Sequence, residues 1–176
     1  MTEKEVKEKI IAFRDSHDRK EFVSFFTADK KRLDLLLYLV WNLEEYPYKE
    51  YASWMFMHII KSKKIDPTEY YNPLVDILFK TNDQTVLRNA TCCLNLMNNI
   101  TEYRESDLID QLIGFAQDGS NKVALQVYSI YILIKFCKKY PELTKEIHQI
   151  IMMNSEGKTA GYLIAIRNFT QELRTS

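Results

Sequence analysis

Apolar residues recur along most of this chain every three or four positions, the spacing of one face of an α-helix. Helix-capping patterns mark the segment boundaries. Thr2 and Glu5 form a capping-box pattern, and Asp83 and Ser106 stand where N-caps belong. No convincing alternation of apolar and polar residues indicates a strand. The pattern predicts ten helices, over residues 3–15, 18–27, 30–43, 48–63, 67–80, 84–98, 106–117, 121–139, 142–153 and 158–173.

Short loops between these segments indicate antiparallel helical hairpins, and the hairpins repeat. The second helices of four consecutive hairpins superpose when aligned from positions 48, 86, 123 and 159, which gives steps of 38, 37 and 36 residues. Their aligned core faces are Tyr48, Ala52, Met55 and Ile59; Val86, Ala90, Cys93 and Met97; Val123, Val127, Ile130 and Ile134; and Thr159, Leu163, Ile166 and Thr170. This period predicts an all-α fold, a right-handed α-α superhelix of about five hairpins, forming one domain over residues 1–176.

One repeat carries a recognisable motif. Residues 83–90 read Asp-Gln-Thr-Val-Leu-Arg-Asn-Ala, which resembles the Asp…Val-Arg-x-x-Ala opening of the second helix of a HEAT repeat. The repeats that start near 121 and 157 have Leu125 and Gly161 in place of the arginine. The resemblance covers about residues 45–173 and implies a HEAT-like or armadillo-like repeat protein with a concave binding surface.

A second resemblance covers the whole chain. Residues 15–20, residues 51–56 and the final hairpin are similar to a family of small bacterial all-helical proteins whose members often carry the label adenylosuccinate lyase. The label implies a lyase acting on a small molecule. The flexible Gly/Ser-rich loop of the lyase superfamily has no counterpart in this sequence.

Composition narrows the function classes. Only 4 glycines and 4 prolines argue against a hairpin-rich β fold, and 46% hydrophobic residues suffice for a core. Lys and Arg total 24, as do Asp and Glu, so the chain has no general electrostatic preference for nucleic acid or anionic membranes. The start lacks an apolar leader, and the longest uncharged run, 123–134, is too short to span a membrane. We therefore expect a cytoplasmic protein whose three cysteines are buried free thiols.

The sequence offers little evidence for a catalytic site. Gly157-Lys158-Thr159 lacks the first glycine of a phosphate-binding loop, because that position holds Met152. His17, His58 and His148 have no partner at metal-ligand spacing, and no GxSxG elbow occurs. Basic runs at 61–64 and 135–139 are explained by helix C-termini, which favour cations. We therefore predict a non-enzymatic protein without catalytic residues, metal or cofactor.

The second helices of a solenoid line its concave side, so the positions opposite their core faces should point into the groove. The predicted partner-binding stripe comprises Glu50, Ser53, Met57, Arg88, Thr91, Asn95, Leu125, Tyr128, Ile132, Ile164 and Asn168. The apolar set Leu125, Tyr128 and Ile132 forms either a contact patch or a second buried face.

These patterns predict a binding or scaffold module that holds a protein or peptide partner. A HEAT-like nucleic-acid-binding or DNA-repair protein is the first alternative, disfavoured by the zero net charge. An enzyme acting on a small molecule in the groove, the lyase included, is the second. The oligomeric state stays open.

Overall fold

The computed structural model describes residues 2–16, 18–42, 46–153 and 155–175, with side chains to residue 172. This part of the chain is helical and contains no strand, which confirms the predicted all-α class. Two short 3-10 turns, Thr68–Tyr70 and Pro141–Leu143, precede α5 and α9. The α-helices are α1 (Glu3–Ser16), α2 (Arg19–Thr27), α3 (Lys30–Asn42), α4 (Tyr48–Lys61), α5 (Tyr71–Lys80), α6 (Gln84–Leu96), α7 (Glu105–Gln117), α8 (Val123–Lys139), α9 (Thr144–Met153) and α10 (Ala160–Thr175).

The helices gather into two compact units, Met1–Leu96 and Met97–Ser176. The assignment of the whole chain to one domain stays a prediction. In the N-terminal unit, α4 packs against α1, α2, α3 and α6, and α5 packs against α6. Helix α4 can serve as this centre because its apolar residues are spaced to contact helices on several sides.

The C-terminal unit has α8 at its centre, in contact with α7, α9 and α10. This helix is the longest of the unit, and apolar side chains surround most of it. Leu125, Ile130, Leu133 and Phe136 are fully buried. A helix that is apolar nearly all round is expected to be buried on several sides.

The predicted caps are confirmed in two places. The backbone N–H of Thr2 donates to Glu5 Oε2 at 2.6 Å, and the N–H of Glu5 donates to Thr2 Oγ1 at 3.3 Å. Asp83 Oδ1 accepts the N–H groups of Thr85 and Val86 at 2.8 and 3.1 Å. These bonds satisfy N–H groups that have no partner inside their helices.

The cap predicted at Ser106 is wrong. Helix α7 begins one residue earlier, at Glu105, and the residue before it is Arg104 in a left-handed conformation with φ 51°. The Arg104 side chain extends along the first turn of α7, with Nε 3.2 Å from Asp107 Oδ2. An ion pair within the first turn therefore stands where the pattern predicted a serine cap.

The predicted core faces are confirmed for the N-terminal unit except at Tyr48, which is half-buried, and only partly for the C-terminal unit. Ala52, Met55 and Ile59 of α4 are fully buried. In α8 and α10, however, Val123 and Leu163 are 38% and 43% exposed. Both residues lie in the first turns of their helices, where fewer neighbours cover the surface. No helix in the described part of the chain is long and apolar enough to cross a membrane.

Candidate functional site

The structure divides the predicted stripe into buried and accessible members. Five members lie in the core and cannot meet a partner, which corrects their assignment: Ser53, Met57, Thr91, Leu125 and Ile132. Of the two interpretations of the apolar set on α8, burial therefore holds for Leu125 and Ile132, while Tyr128 is half-buried. The remaining members are half-buried or exposed: Glu50, Arg88, Asn95, Tyr128, Ile164 and Asn168.

On α4 the accessible face lies about one residue beyond the predicted one. Its members are Tyr51, Trp54, His58 and Lys61, spaced at three and four residues as one helix face requires. One residue corresponds to a rotation of about 100° around the helix. Hydrophobicity could not separate the two faces, because Met57 on the buried side and Trp54 on the open side are both apolar.

Glu50 and Arg88, two members of the predicted stripe, come together in one pocket. The pocket has a volume of about 240 Å³. Helix α1 contributes one side chain, α4 three and α6 two, and we call it the α4–α6 pocket. Its lining residues are Arg14, Glu50, Tyr51, Trp54, Thr85 and Arg88.

A buried polar chain holds one wall of this pocket in place. Arg88 Nε and Nη2 donate to Asn89 Oδ1 at 3.4 and 3.2 Å, and Asn89 Nδ2 donates to Ser53 Oγ at 2.9 Å. Ser53 Oγ in turn donates to the carbonyl oxygen of Glu50 at 2.8 Å. Because Asn89 and Ser53 are buried, their side chains have few alternative partners, and the Arg88 guanidinium is oriented from below.

The second guanidinium of the pocket lies over an aromatic ring. The centre of the Arg14 guanidinium lies 5.4 Å from the ring centroid of Tyr51, within cation–π range. Arg14 Nε donates to Asp15 Oδ1 at 2.6 Å, and this hydrogen bond raises the pKa of Arg14. Arg14 is therefore always cationic at the mouth of the pocket.

Two carboxyl groups near the pocket differ in their proton affinity. Burial, and then the nearby Asp83 carboxylate, raise the pKa of Glu50. Burial acts to raise the pKa of Asp83 as well, but the N–H groups of Val86 and Thr85 hold it below its ordinary value. Lys49 Nζ lies 3.4 Å from Asp83 Oδ2. Asp83 is therefore the stable anion of the two, and its charge serves the cap of α6.

The orientation of Glu50 also limits its part in the pocket. Its Oε2 atom is buried and has no hydrogen-bond partner among the described residues. A carboxyl oxygen without a partner disfavours the ionised form, which agrees with the raised pKa. Arg14 and Arg88 supply the cationic groups of the α4–α6 pocket.

The accessible stripe members of the C-terminal unit meet side chains that sequence reasoning missed. Asn168 Nδ2 donates to the hydroxyl oxygen of Tyr131 at 3.2 Å. Tyr131 lies one turn beyond Tyr128 on the half-buried face of α8. Ile164 is 49% exposed on α10. The helical spacing of Tyr128 and Tyr131 was the signal that could have identified this face.

The lysine of the candidate phosphate-binding loop, Gly157-Lys158-Thr159, forms hydrogen bonds within the protein. The segment before Gly157 follows α9 rather than a strand. Lys158 Nζ donates to Gln126 Oε1 at 3.0 Å and to the carbonyl oxygen of Gln117 at 3.3 Å. Lys158 is thus engaged in packing α10 against its own unit.

The structure also locates the cysteines and His148, which the sequence analysis considered as candidate functional residues. Cys92, Cys93 and Cys137 are free and buried, as predicted, and burial raises the pKa of the Cys93 thiol well above its ordinary value. Such thiols are poor nucleophiles. His148 Nε2 lies 2.9 Å from Thr170 Oγ1. No three His, Cys, Asp or Glu side chains in the described ranges gather into a metal-binding group.

Repeated helical hairpins with buried apolar faces define a helical-repeat protein. The model of the HEAT repeat domain family matches residues 7–173, which is nearly the whole chain, so this protein belongs to that family. The match extends further towards the N-terminus than the motif-based resemblance, and it gives no support to the lyase resemblance. Neither a curated protein nor a solved structure matches the chain significantly. HEAT repeats are commonly protein-interaction scaffolds and are typically not enzymes.

Proposed function

We propose that this protein is a non-enzymatic binding module that holds a peptide segment of a partner protein. Membership in the HEAT repeat family supports the module class, since these repeats build extended binding surfaces. The observation that carries the proposal is the α4–α6 pocket, where Trp54, Tyr51, Arg14 and Arg88 surround one cleft. Trp, Tyr and Arg are the residue types enriched at the energetic centres of protein interfaces.

The size of the pocket favours one anchoring side chain over a free small molecule. Its volume of about 240 Å³ lies below the range of about 300–1,000 Å³ typical of small-molecule sites. An enzyme would also require titratable groups that converge on a substrate. Here the pKa of Glu50 is raised by burial and by Asp83, and Asp83 itself caps α6.

The chemistry of the walls defines the anchor. Tyr51 and Trp54 offer aromatic surface, while Arg14 and Arg88 offer positive charge that Asn89 and Asp15 orient. A partner segment with a carboxylate beside an apolar or aromatic side chain complements both features. The accessible stripe members remain proposed partner contacts, Asn95 on the N-terminal unit and Tyr128, Ile164 and Asn168 on the C-terminal unit.

A random-peptide selection on the purified protein tests this function. We expect the enriched peptides to share an acidic residue next to an apolar or aromatic one. Their affinity should fall at least about tenfold, equivalent to about 1.4 kcal/mol, in Arg88→Glu. Trp54 emission, isolated by Trp41→Phe, should change on binding because Trp54 lines the pocket.

Arg167→Glu is the matched control, since Arg167 is exposed on α10 and the substitution changes charge equally. It should bind the selected peptides like the unmodified protein. Circular dichroism melts of both variants establish that folding is intact. Failure to enrich any peptide, or equal affinity for Arg88→Glu and Arg167→Glu, would contradict the proposal.

A further inference from the structure

A second, larger pocket in the N-terminal unit is lined by cations. It has a volume of about 530 Å³ and lies between the start of α2 and the end of α4. Arg19 and Lys20 come from the first turn of α2, Lys61 ends α4, and Lys64 follows that helix. We call it the cationic pocket.

Local backbone geometry brings the fourth cation to the others. Ser62 caps the C-terminus of α4, and Lys63 adopts a left-handed conformation with φ 57° that reverses the chain. Lys64 then reaches α2, where its Nζ donates to Ser24 Oγ at 3.1 Å. The basic run at 61–64 is thereby joined, through Ser24 40 positions away in sequence, to the helix that carries Arg19 and Lys20.

Positive charge dominates the described lining of this pocket. Among the described residues that line it, none is Asp or Glu, and none of its four cations forms an ion pair. Arg19 lies over the ring of Trp54, with its guanidinium centre 6.0 Å from the centroid. Like charges in one concave site repel one another, so an anion bound there is favoured.

Helix electrostatics explain only part of the cluster. Lys61 lies at the C-terminus of α4, where the helix dipole favours a cation. Arg19 and Lys20, however, occupy the N-terminal turn of α2, where the dipole disfavours one. Their placement beside Lys61 and Lys64 therefore opposes two electrostatic preferences of the folded chain, which points to a ligand.

The remaining lining groups suit an oxyanion. Ser24 provides a hydroxyl group, and Arg19 provides a planar guanidinium that can hold phosphate through two hydrogen bonds. The Ser62 hydroxyl already donates to the carbonyl oxygen of Ile59 at 2.6 Å. His58 lies in the same wall. Burial, with the charges of Arg19 and Lys61, lowers the pKa of His58 to about 4, so the ring senses the local positive potential.

We propose that the cationic pocket binds a compact anion that carries two or more phosphoryl groups. The volume falls within the range of small-molecule sites. A nucleic-acid strand would require a continuous cationic track, but several cations elsewhere in this unit lie in ion pairs with neighbouring carboxylates. Such pairs are Lys7 with Glu3, Arg14 with Asp15, Lys30 with Glu69, Arg32 with Asp29 and Lys49 with Asp83.

Titration calorimetry at constant ionic strength, with tripolyphosphate, inorganic phosphate and a 12-nucleotide single strand as probes, tests this site. We expect one tripolyphosphate per chain, bound at least about tenfold more tightly than inorganic phosphate. In Lys61→Gln/Lys64→Gln the affinity should fall at least about tenfold. In nuclear magnetic resonance titrations, bound tripolyphosphate should raise the pKa of His58 towards its ordinary value.

Lys31→Gln/Lys80→Gln is the matched control, because it also removes two charges from exposed helical positions of the same unit. It should bind tripolyphosphate like the unmodified protein. Three results would each overturn the site: equal losses of affinity in the two double variants, no measurable binding of tripolyphosphate, or a pKa of His58 that does not change when tripolyphosphate is added. Tighter binding of the oligonucleotide than of tripolyphosphate would contradict the proposal that the ligand is a compact anion.

Discussion

The two compact units use their polar side chains in different ways. In the N-terminal unit, Arg19 and Arg88 line pockets that are open to solvent. In the C-terminal unit, Lys135 Nζ donates to the carbonyl oxygen of Met97 at 2.7 Å, and burial lowers the pKa of Lys135. Lys139 Nζ lies 2.5 Å from Glu105 Oε1.

This difference separates structural polar groups from those available for binding. A half-buried lysine that donates to a backbone carbonyl satisfies an acceptor that would otherwise be costly to bury. An arginine in an open pocket contributes little to folding and keeps hydrogen-bonding capacity for a ligand. The N-terminal unit therefore carries both proposed sites, although charges balance over the chain as a whole.

The largest expected effect concerns Leu125, a predicted contact residue that the structure buries completely. Leu125→Ala should lower the free energy of unfolding by about 2–5 kcal/mol, because it leaves a cavity in the core of the C-terminal unit. Urea denaturation followed by circular dichroism measures the loss. Ile164→Ala, at a 49% exposed site, should change stability by less than about 0.5 kcal/mol. Equal losses of unfolding free energy in the two variants would contradict the assignment of Leu125 to the core and Ile164 to the surface.

An intermediate effect is expected in the polar chain beneath the α4–α6 pocket. Asn89→Ala leaves Ser53 without its 2.9 Å hydrogen bond and should cost about 1–3 kcal/mol in unfolding free energy. A double-mutant cycle with Ser53→Ala isolates their interaction. Additive losses would show that the pair is not coupled. Because Asn89 also orients Arg88, the selected peptides should bind Asn89→Ala more weakly.

The smallest expected effect is a pH dependence from His58. The folded-state pKa of about 4 lies below the unfolded value near 6.5, so the unfolded chain binds the proton first. This contribution to stability is complete above pH 6.5 and is lost as the pH falls towards 4. After discounting for solvent screening it amounts to about 1 kcal/mol.

The urea midpoint of the unmodified protein and of His58→Gln, measured between pH 4 and pH 7, isolates this contribution. The difference between the two curves should narrow or reverse as the pH falls, because the variant has no imidazole to protonate. Burial also lowers the pKa of His148, in the C-terminal unit, and His148→Gln serves as the comparison. A constant difference for His58→Gln would contradict the lowered pKa.

Helix positions could be predicted from the sequence because their signals are local. Periodic apolar residues and caps such as Asp83 act within a few residues of the chain, and the structure confirms them. The cap at Ser106 failed because Arg104 adopts a left-handed conformation, which the pattern of side chains did not indicate. Arg88 and Glu50 were predicted as groove residues because they lie opposite the core faces of their helices, and both are half-buried at the pocket.

The rest of the candidate site depended on contacts between distant segments. Periodicity showed that α4 and α8 have more apolar residues than one face holds, but which residues remain accessible is set by the helices that pack around them. Because of this packing, Met57 is buried in the core, whereas Trp54 lines the α4–α6 pocket.

By itself, the sequence determined the all-α class, the helix positions and a repeat that matches the HEAT family, since these depend on local propensity and spacing. Only the tertiary structure decided which side chains meet. It joined Lys64 to Ser24 across 40 residues and set Arg14 over Tyr51. A pocket is formed by packing between elements far apart in the chain, and no local pattern encodes that packing.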